Sequence, residues 1–209
     1  MARSKSSGSW LRRHVTDPFV KLAQKEGYRS RAAYKLIELN EKDRLLRPGQ
    51  RVMDLGCAPG GWSQVAARLV GARGRVLATD ILPMDPIAGV EFIQGDFTSD
   101  EVVKQVQGWL NGEKFDLIIS DIAPNLSGID SADQARSIHF LELALDTVRL
   151  TLKTGAAFIA KMFQGQGTDE YVKELRTSFQ KVVIRKPKAS RPESREVYIV
   201  AKDFKGENI

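Results

Sequence analysis

The stretch Asp54-Leu55-Gly56-Cys57-Ala58-Pro59-Gly60-Gly61-Trp62 decides the fold. An apolar-leaning run, Arg51-Val52-Met53-Asp54-Leu55, leads into it. A helical pattern, Trp62-Ser63-Gln64-Val65-Ala66-Ala67-Arg68-Leu69-Val70, leads out of it. Strand, glycine-rich turn and helix together form the nucleotide cradle of a doubly wound α/β sheet. Glycine lets a ligand come close to the backbone, and a helix start offers N–H groups without intrahelical partners. The spacing is Gly-x-x-x-Gly-Gly. It is neither the Gly-x-Gly-x-x-Gly of a dinucleotide site nor a P-loop, which ends in Gly-Lys-Ser/Thr. The turn suits an adenosine-type ligand without a phosphate chain.

Outward from this turn the pattern alternates. Strands are predicted at Arg51–Leu55, Arg75–Ile81, Glu91–Phe97, Phe115–Ile122, Ala156–Phe163, Lys181–Lys186 and Glu196–Asp203. Helical patterns lie at 62–70, 99–110, 133–152 and 168–179. Such alternation means a mostly parallel sheet with helices on both faces. Upstream, residues 17–27 read as a short helix or turn region. Ser30 is placed to cap a helix running from Arg31 to Asn40, and Pro48-Gly49 closes that segment. No internal repeat or low-complexity linker divides the chain. The expected organisation is a basic, partly disordered N-terminal segment over 1–27, polar and small at 1–9, and a single domain over 28–209.

A chain of 209 residues suits one domain with one core. No apolar run is long enough to span a bilayer, and the N-terminus lacks a signal-peptide core. The single cysteine, Cys57, excludes an internal disulfide, and no Cys/His cluster suggests structural zinc. The expectation is a cytoplasmic protein with no membrane partner. Its charge is uneven. Residues 1–50 hold 12 Lys and Arg against 5 Asp and Glu, whereas the remainder holds 20 against 21. A second basic run is Arg185-Lys186-Pro187-Lys188-Ala189-Ser190-Arg191-Pro192-Glu193-Ser194-Arg195. Clustered cations beside a ligand-binding core suit a polyanion such as RNA or DNA, and they equally suit a solvated tail.

Ligands of a doubly wound sheet bind at the carboxyl ends of its strands. The second predicted strand ends at Asp80, the third at Asp96, the fourth at Asp121 and the fifth at Lys161. A carboxylate after the second strand can accept both ribose hydroxyls of a nucleoside. One after the third can accept an adenine amino group. Asp121 and Lys161 lie nearer the middle of the rim, where a substrate would meet the cofactor. Any one of these aspartates could be a turn former or helix cap, but four charged strand ends on one rim argue for a site. Lys161 interrupts an apolar strand, and lysine is rarely buried unless paired. It is either a snorkelling strand end or a functional amine in a partly desolvated cleft.

Asp54–Trp62, Ser120-Asp121-Ile122-Ala123-Pro124-Asn125 and Ala160–Phe163 resemble the motifs of the FtsJ/RlmE family. These are S-adenosylmethionine-dependent RNA ribose 2′-O-methyltransferases, and the resemblance covers nearly the whole chain. It implies a Rossmann-like class I methyltransferase with a seven-stranded sheet whose last strand is antiparallel. A reversed Glu196–Asp203 strand would start on the rim where the others end. The family's Lys-Asp-Lys-Glu tetrad then falls on Lys35, Asp121, Lys161 and Glu196. The implied cofactor contacts are Gly60, Trp62, Asp80, Asp96 and Asp121, although Trp62 also reads as a core aromatic. The compact length is most similar to bacterial members that methylate a uridine ribose of 23S rRNA, late in assembly of the large ribosomal subunit. S-adenosylhomocysteine is the implied product, with no metal and a monomeric enzyme.

The implied reaction is an in-line displacement by the ribose 2′-oxygen on the sulfonium methyl. Alignment should supply much of the catalysis. Lys161 is the candidate base if desolvation and Lys35 favour its neutral amine. If Asp121 and Glu196 dominate, Lys161 instead orients the hydroxyl and stabilises developing negative charge. The basic segments would hold RNA through its phosphates. Three rivals are a NAD(P)-dependent oxidoreductase, a non-catalytic ribosome-assembly factor, and a 2′-O-methyltransferase for tRNA or an mRNA cap. His14 and His139 receive no role.

Overall fold

The computed structural model describes residues 17–123 and 130–206. Its elements run α1 (Pro18–Glu26), α2 (Ala33–Asp43), β1 (Arg51–Leu55), α3 (Gly61–Val70), β2 (Arg75–Asp80), β3 (Val90–Gln94) and α4 (Asp100–Leu110). They continue β4 (Phe115–Ser120), α5 (Asp130–Thr151), β5 (Leu152–Phe163), α6 (Thr168–Ser178), β6 (Phe179–Arg185) and β7 (Glu196–Phe204). The strand order is β3-β2-β1-β4-β5-β7-β6. β1 pairs in parallel with β2 and β4, and β2–β3 and β4–β5 are parallel. β7 alone runs against its neighbours, β5 and β6. The sequence order reverses at β1, so a crevice opens beyond its carboxyl end and that of β4.

Alternation along each strand assigns the two faces. Val52, Val76, Leu117, Ile119, Ile159, Tyr198 and Val200 pack with α2 and α3. Met53, Leu77, Ile118, Phe158, Met162, Val197 and Ile199 pack with α4, α5 and α6. The helices contribute stripes at helical spacing, such as Val102, Val106 and Leu110 of α4. No helix among the described residues is long and apolar enough to cross a membrane. Residues 1–16 and Pro124–Ile129 lie outside the described part, and with them His14, the polar segment 1–9 and the end of the Ser120–Asn125 motif.

All seven expected strands are present; β1 has the expected bounds, and the ends of the others shift. β5 starts at Leu152 instead of Ala156, because Lys153-Thr154-Gly155 carry the chain through an irregularity opposite Phe115–Leu117. Those residues lack apolar alternation, and Gly155 takes a left-handed φ of 79°. The region 17–27 resolves into α1, capped by Asp17, whose Oδ1 accepts the Phe19 N–H at 3.0 Å. The expected Ser30 cap on α2 is absent, since the N-cap is Ala32 without a side-chain bond. Ser30 instead packs against Gly61, where a Cβ would lie 2.4 Å from its hydroxyl oxygen.

Candidate active site

Lys35 sits on the buried stripe of α2, next to Leu36 and one turn before Leu39. Lys161 follows Ile159 by two residues on β5, so it points to the same side of the sheet as α2. β7 pairs Tyr198 with Lys161 and Glu196 with Phe163. Being two apart, Glu196 and Tyr198 share that face. Asp121 follows the last residue of β4. Four separate elements thus aim charged groups into one space.

Two ion pairs result. Lys35 Nζ lies 2.7 Å from Glu196 Oε1, and Lys161 Nζ lies 3.2 Å from Asp121 Oδ1. Lys161 also donates to the Asp121 carbonyl at 2.6 Å. The Tyr198 hydroxyl donates to Asp121 Oδ1 at 2.6 Å, while its ring lies 5.5 Å from Lys35 Nζ. Tyr198 therefore touches both pairs. Lys35, Lys161 and Glu196 are each only 9% exposed, a state that charged groups sustain when paired. Burial pushes the Glu196 carboxyl up, but Lys35 and then Lys161 outweigh it and leave it below the usual range. Burial, with Asp121 and Glu196, raises the Tyr198 phenol well above its ordinary value, so it remains a donor.

The cofactor side is assembled around the glycine turn. Gly60 adopts a φ of 108°, and a Cβ there would meet Ile87 Cδ1 at 2.6 Å and Met84 Sδ at 2.8 Å. Asp80 ends β2; its Oδ2 accepts the Ala58 N–H at 2.8 Å and its Oδ1 the Leu82 N–H at 2.9 Å. Asp96 lies two residues beyond β3, exposed, with its Oδ1 accepting from the Thr98 N–H at 2.9 Å and hydroxyl at 2.7 Å. Trp62 opens α3 but its indole lies in the core, against Tyr198 at 5.6 Å, with its N–H on the Ala32 carbonyl at 2.8 Å. The structure thus joins Gly60 and Asp80 at the turn and gathers the tetrad beside it. Asp96 stands apart at the next strand end, and the Trp62 side chain lies behind the cleft.

A model of the FtsJ-like methyltransferase family matches residues 28–204. The chain belongs to that family. A relative from Stutzerimonas stutzeri, called ribosomal RNA large subunit methyltransferase E, is 65% identical over 99% of this chain and 100% of its own. A Marinobacter nauticus protein of the same name is 64% identical over 98% of this chain and 99% of its own. A solved structure described as a Plasmodium falciparum ribosomal RNA methyltransferase superposes with a TM-score of 0.79 at 34% identity. It covers 86% of this chain and 100% of its own.

Several groups in this FtsJ-like methyltransferase escape a reading by motif. Tyr198 is one, although its two-residue spacing from Glu196 was a usable signal. Asp54 is another. It is 1% exposed, its Oδ2 accepts the Ser63 hydroxyl at 2.6 Å, and its Oδ1 is buried without a hydrogen bond. Burial, and then Asp121 and Asp80, push its carboxyl up to about 7 despite the Ser63 bond. Glu196 has its own frame. Ser190 donates to its Oε1 at 2.8 Å, its N–H donates to Ser194 Oγ at 3.1 Å, and Lys186 donates to its carbonyl at 2.8 Å. Arg185 is bound to Asp43 at 2.9 and 3.1 Å. Part of the basic run 185–195 is therefore structural. A recess of about 280 Å³ beside the Lys35–Glu196 pair is lined by Arg31, Ala189, Arg191, Glu193 and Ser194. His139 lies on the exposed face of α5 near Glu142.

Proposed function

We propose that this methyltransferase uses S-adenosylmethionine to methylate the ribose 2′-hydroxyl of a uridine in 23S rRNA. The proposed setting is the large ribosomal subunit, in the cytoplasm, with the enzyme acting as a monomer late in subunit assembly. The observation that carries the reading is the paired tetrad, Lys35–Glu196 and Lys161–Asp121, assembled beside the glycine turn. The relatives' name supports an rRNA of the large subunit as acceptor.

The residues present fit the cofactor. Asp54, Asp80 and Asp121 interact electrostatically around the turn. The Asp80 carboxylate at the turn favours a ligand carrying sulfonium and ammonium and disfavours one carrying a pyrophosphate. Ile81 and Leu82, 67% and 58% exposed, form an apolar lip beside Asp80 that suits a purine face. Each Asp80 oxygen accepts one backbone N–H and keeps a lone pair for a ribose hydroxyl. Gly60 and the backbone N–H of Trp62 would border the methionine portion, with Asp96 placed for the adenine amino group.

When bound, the cofactor supplies a methyl already activated by its positive sulfur. The protein's task is alignment and charge. Lys161 has three donors, of which two point to Asp121, so one serves the 2′-oxygen. In the ion pair with the Asp121 carboxylate the amine is an ammonium, which has no lone pair to offer. Lys161 therefore acts by orienting the hydroxyl and stabilising the developing oxyanion, and the hydroxyl proton leaves to solvent water as the oxygen takes the methyl and the methyl–sulfur bond breaks. Asp121, held by Tyr198, fixes the amine in place. Lys35, held by Glu196, places its ammonium beside the Tyr198 ring and so helps to fix the tyrosine that holds Asp121. Arg191 and the exposed basic residues would hold RNA phosphates, which give affinity without reading bases.

The test is incubation with labelled S-adenosylmethionine and large subunits, naked 23S rRNA or tRNA, followed by mapping of 2′-O-methyl sites. Label at a uridine ribose of subunit rRNA is the expected result. Label confined to tRNA, or none, overturns the assignment.

A further inference from the structure

Arg29 lies in the short connection between α1 and α2, outside every residue set considered above. Its main chain is clamped to α3, since its N–H donates to Gln64 Oε1 at 2.8 Å and Gln64 Nε2 donates to the Gly27 carbonyl at 3.0 Å. Its guanidinium reaches two loops at once. Nη1 donates to the Pro59 carbonyl at 3.2 Å and the Asp85 carbonyl at 2.7 Å, and Nη2 to the Pro86 carbonyl at 2.8 Å. Pro59 belongs to the glycine turn after β1. Asp85 and Pro86 belong to the segment between β2 and β3, which begins with the Ile81–Leu82 lip.

These loops follow β1 and β2, and Asp80 at the end of β2 accepts the Ala58 N–H of the glycine turn at 2.8 Å. The segment from Pro83 to Pro86 has no ladder of its own to hold it in place. Met84 from that segment, Ile87 just after it and Arg29 Nη1 all converge on the hydrogen face of Gly60. A planar guanidinium with donors in a fixed fork sets the separation of three carbonyls in a way that a flexible point charge cannot. One stretch of chain, from Arg29 to Lys35, then serves both the cofactor side and the acceptor side.

We propose that Arg29 is a positioning residue for the cofactor site, holding the glycine turn and the 81–88 loop at the separation that S-adenosylmethionine requires. The inference rests on the cofactor reading given above. Its loss acts on cofactor affinity, because the tetrad on the far side of β1 keeps its own bonds.

The experiment titrates the full chain with S-adenosylhomocysteine by calorimetry, for wild type, Arg29→Ala and Arg29→Lys, and adds steady-state kinetics on large subunits. In Arg29→Ala, Kd and the KM for S-adenosylmethionine are expected to rise about tenfold, with kcat at saturating cofactor changed less than about threefold. Arg29→Lys should fall between, since one ammonium meets only part of the three-carbonyl set, and it serves if the alanine variant does not fold. A folded variant with unchanged Kd, or a loss confined to kcat, overturns the proposal. If wild type binds neither ligand, the cofactor reading falls as well. If wild type and both variants bind alike, only the role of Arg29 falls.

Discussion

Replacing Asp54 by Asn should make stability respond differently to pH, and the size of the change can be worked out. The Asp54 carboxyl is fully buried, and burial with the charges of Asp121 and Asp80 moves it from 3.8 up to about 7. The unfolded chain therefore releases this proton near pH 4 and the folded chain near pH 7. Between those values the folded state holds more protons, so stability drains away as pH rises and levels off above 7. At about 1.4 kcal/mol per pH unit, the ionised carboxylate costs the fold ~4 kcal/mol at most. Asn removes the titration and keeps an amide oxygen to accept the Ser63 hydroxyl. The advantage of Asp54→Asn over wild type should grow by about 3 kcal/mol between pH 5 and pH 8, because other groups cancel in the difference. Urea unfolding at both values measures it. An advantage that does not change with pH would falsify the assignment of this burial cost to Asp54.

Lys161→Ala should lower methyl transfer by about a thousandfold or more while cofactor binding stays within about threefold, as calorimetry and single-turnover rates can show. Tyr198→Phe removes the hydroxyl that holds Asp121 and should destabilise the protein by about 1.5–3 kcal/mol in denaturant melts, with a reduced kcat; an unchanged kcat would separate this tyrosine from the alignment of Lys161. Asp80→Ala strips an acceptor from the Ala58 and Leu82 N–H groups and should weaken cofactor binding about tenfold or more. RNA affinity should fall steeply between about 50 and 200 mM salt, and a flat response contradicts phosphate contacts by the basic surface.

The alternation of strand and helix was legible because each strand carries its own apolar run. The strand ends were less so. Asp96 and Asp121 lie just beyond the last paired residues, where a turn-forming aspartate and a ligand-binding one look alike in sequence. Lys161 was legible because a charge inside an apolar strand is unusual. Lys35 was not, since a lysine on a helix is ordinarily solvated, and only the docking of α2 puts it on the buried side. Trp62 shows the reverse. Its place at the head of α3 suggests the cleft, whereas its side-chain bonds place it in the core. Of the basic run, sequence could not separate Arg185 and Lys186, held by the protein's own anions and carbonyls, from cations left for a partner. That distinction is set by Asp43 and the Glu196 carbonyl, contacts at long range or across a loop.

β7 is the last strand in the chain, yet it is threaded between β5 and β6. During synthesis, β5 and β6 can complete this pairing only after residues 196–204 have left the ribosome. Glu196, the partner of Lys35, and Tyr198 arrive with that strand. A chain that ends before β7 contains the sequence of the glycine turn and lacks the groups that bind Lys35 and Asp121. On the roles proposed for these residues, a chain cut short upstream of residue 196 should not methylate RNA.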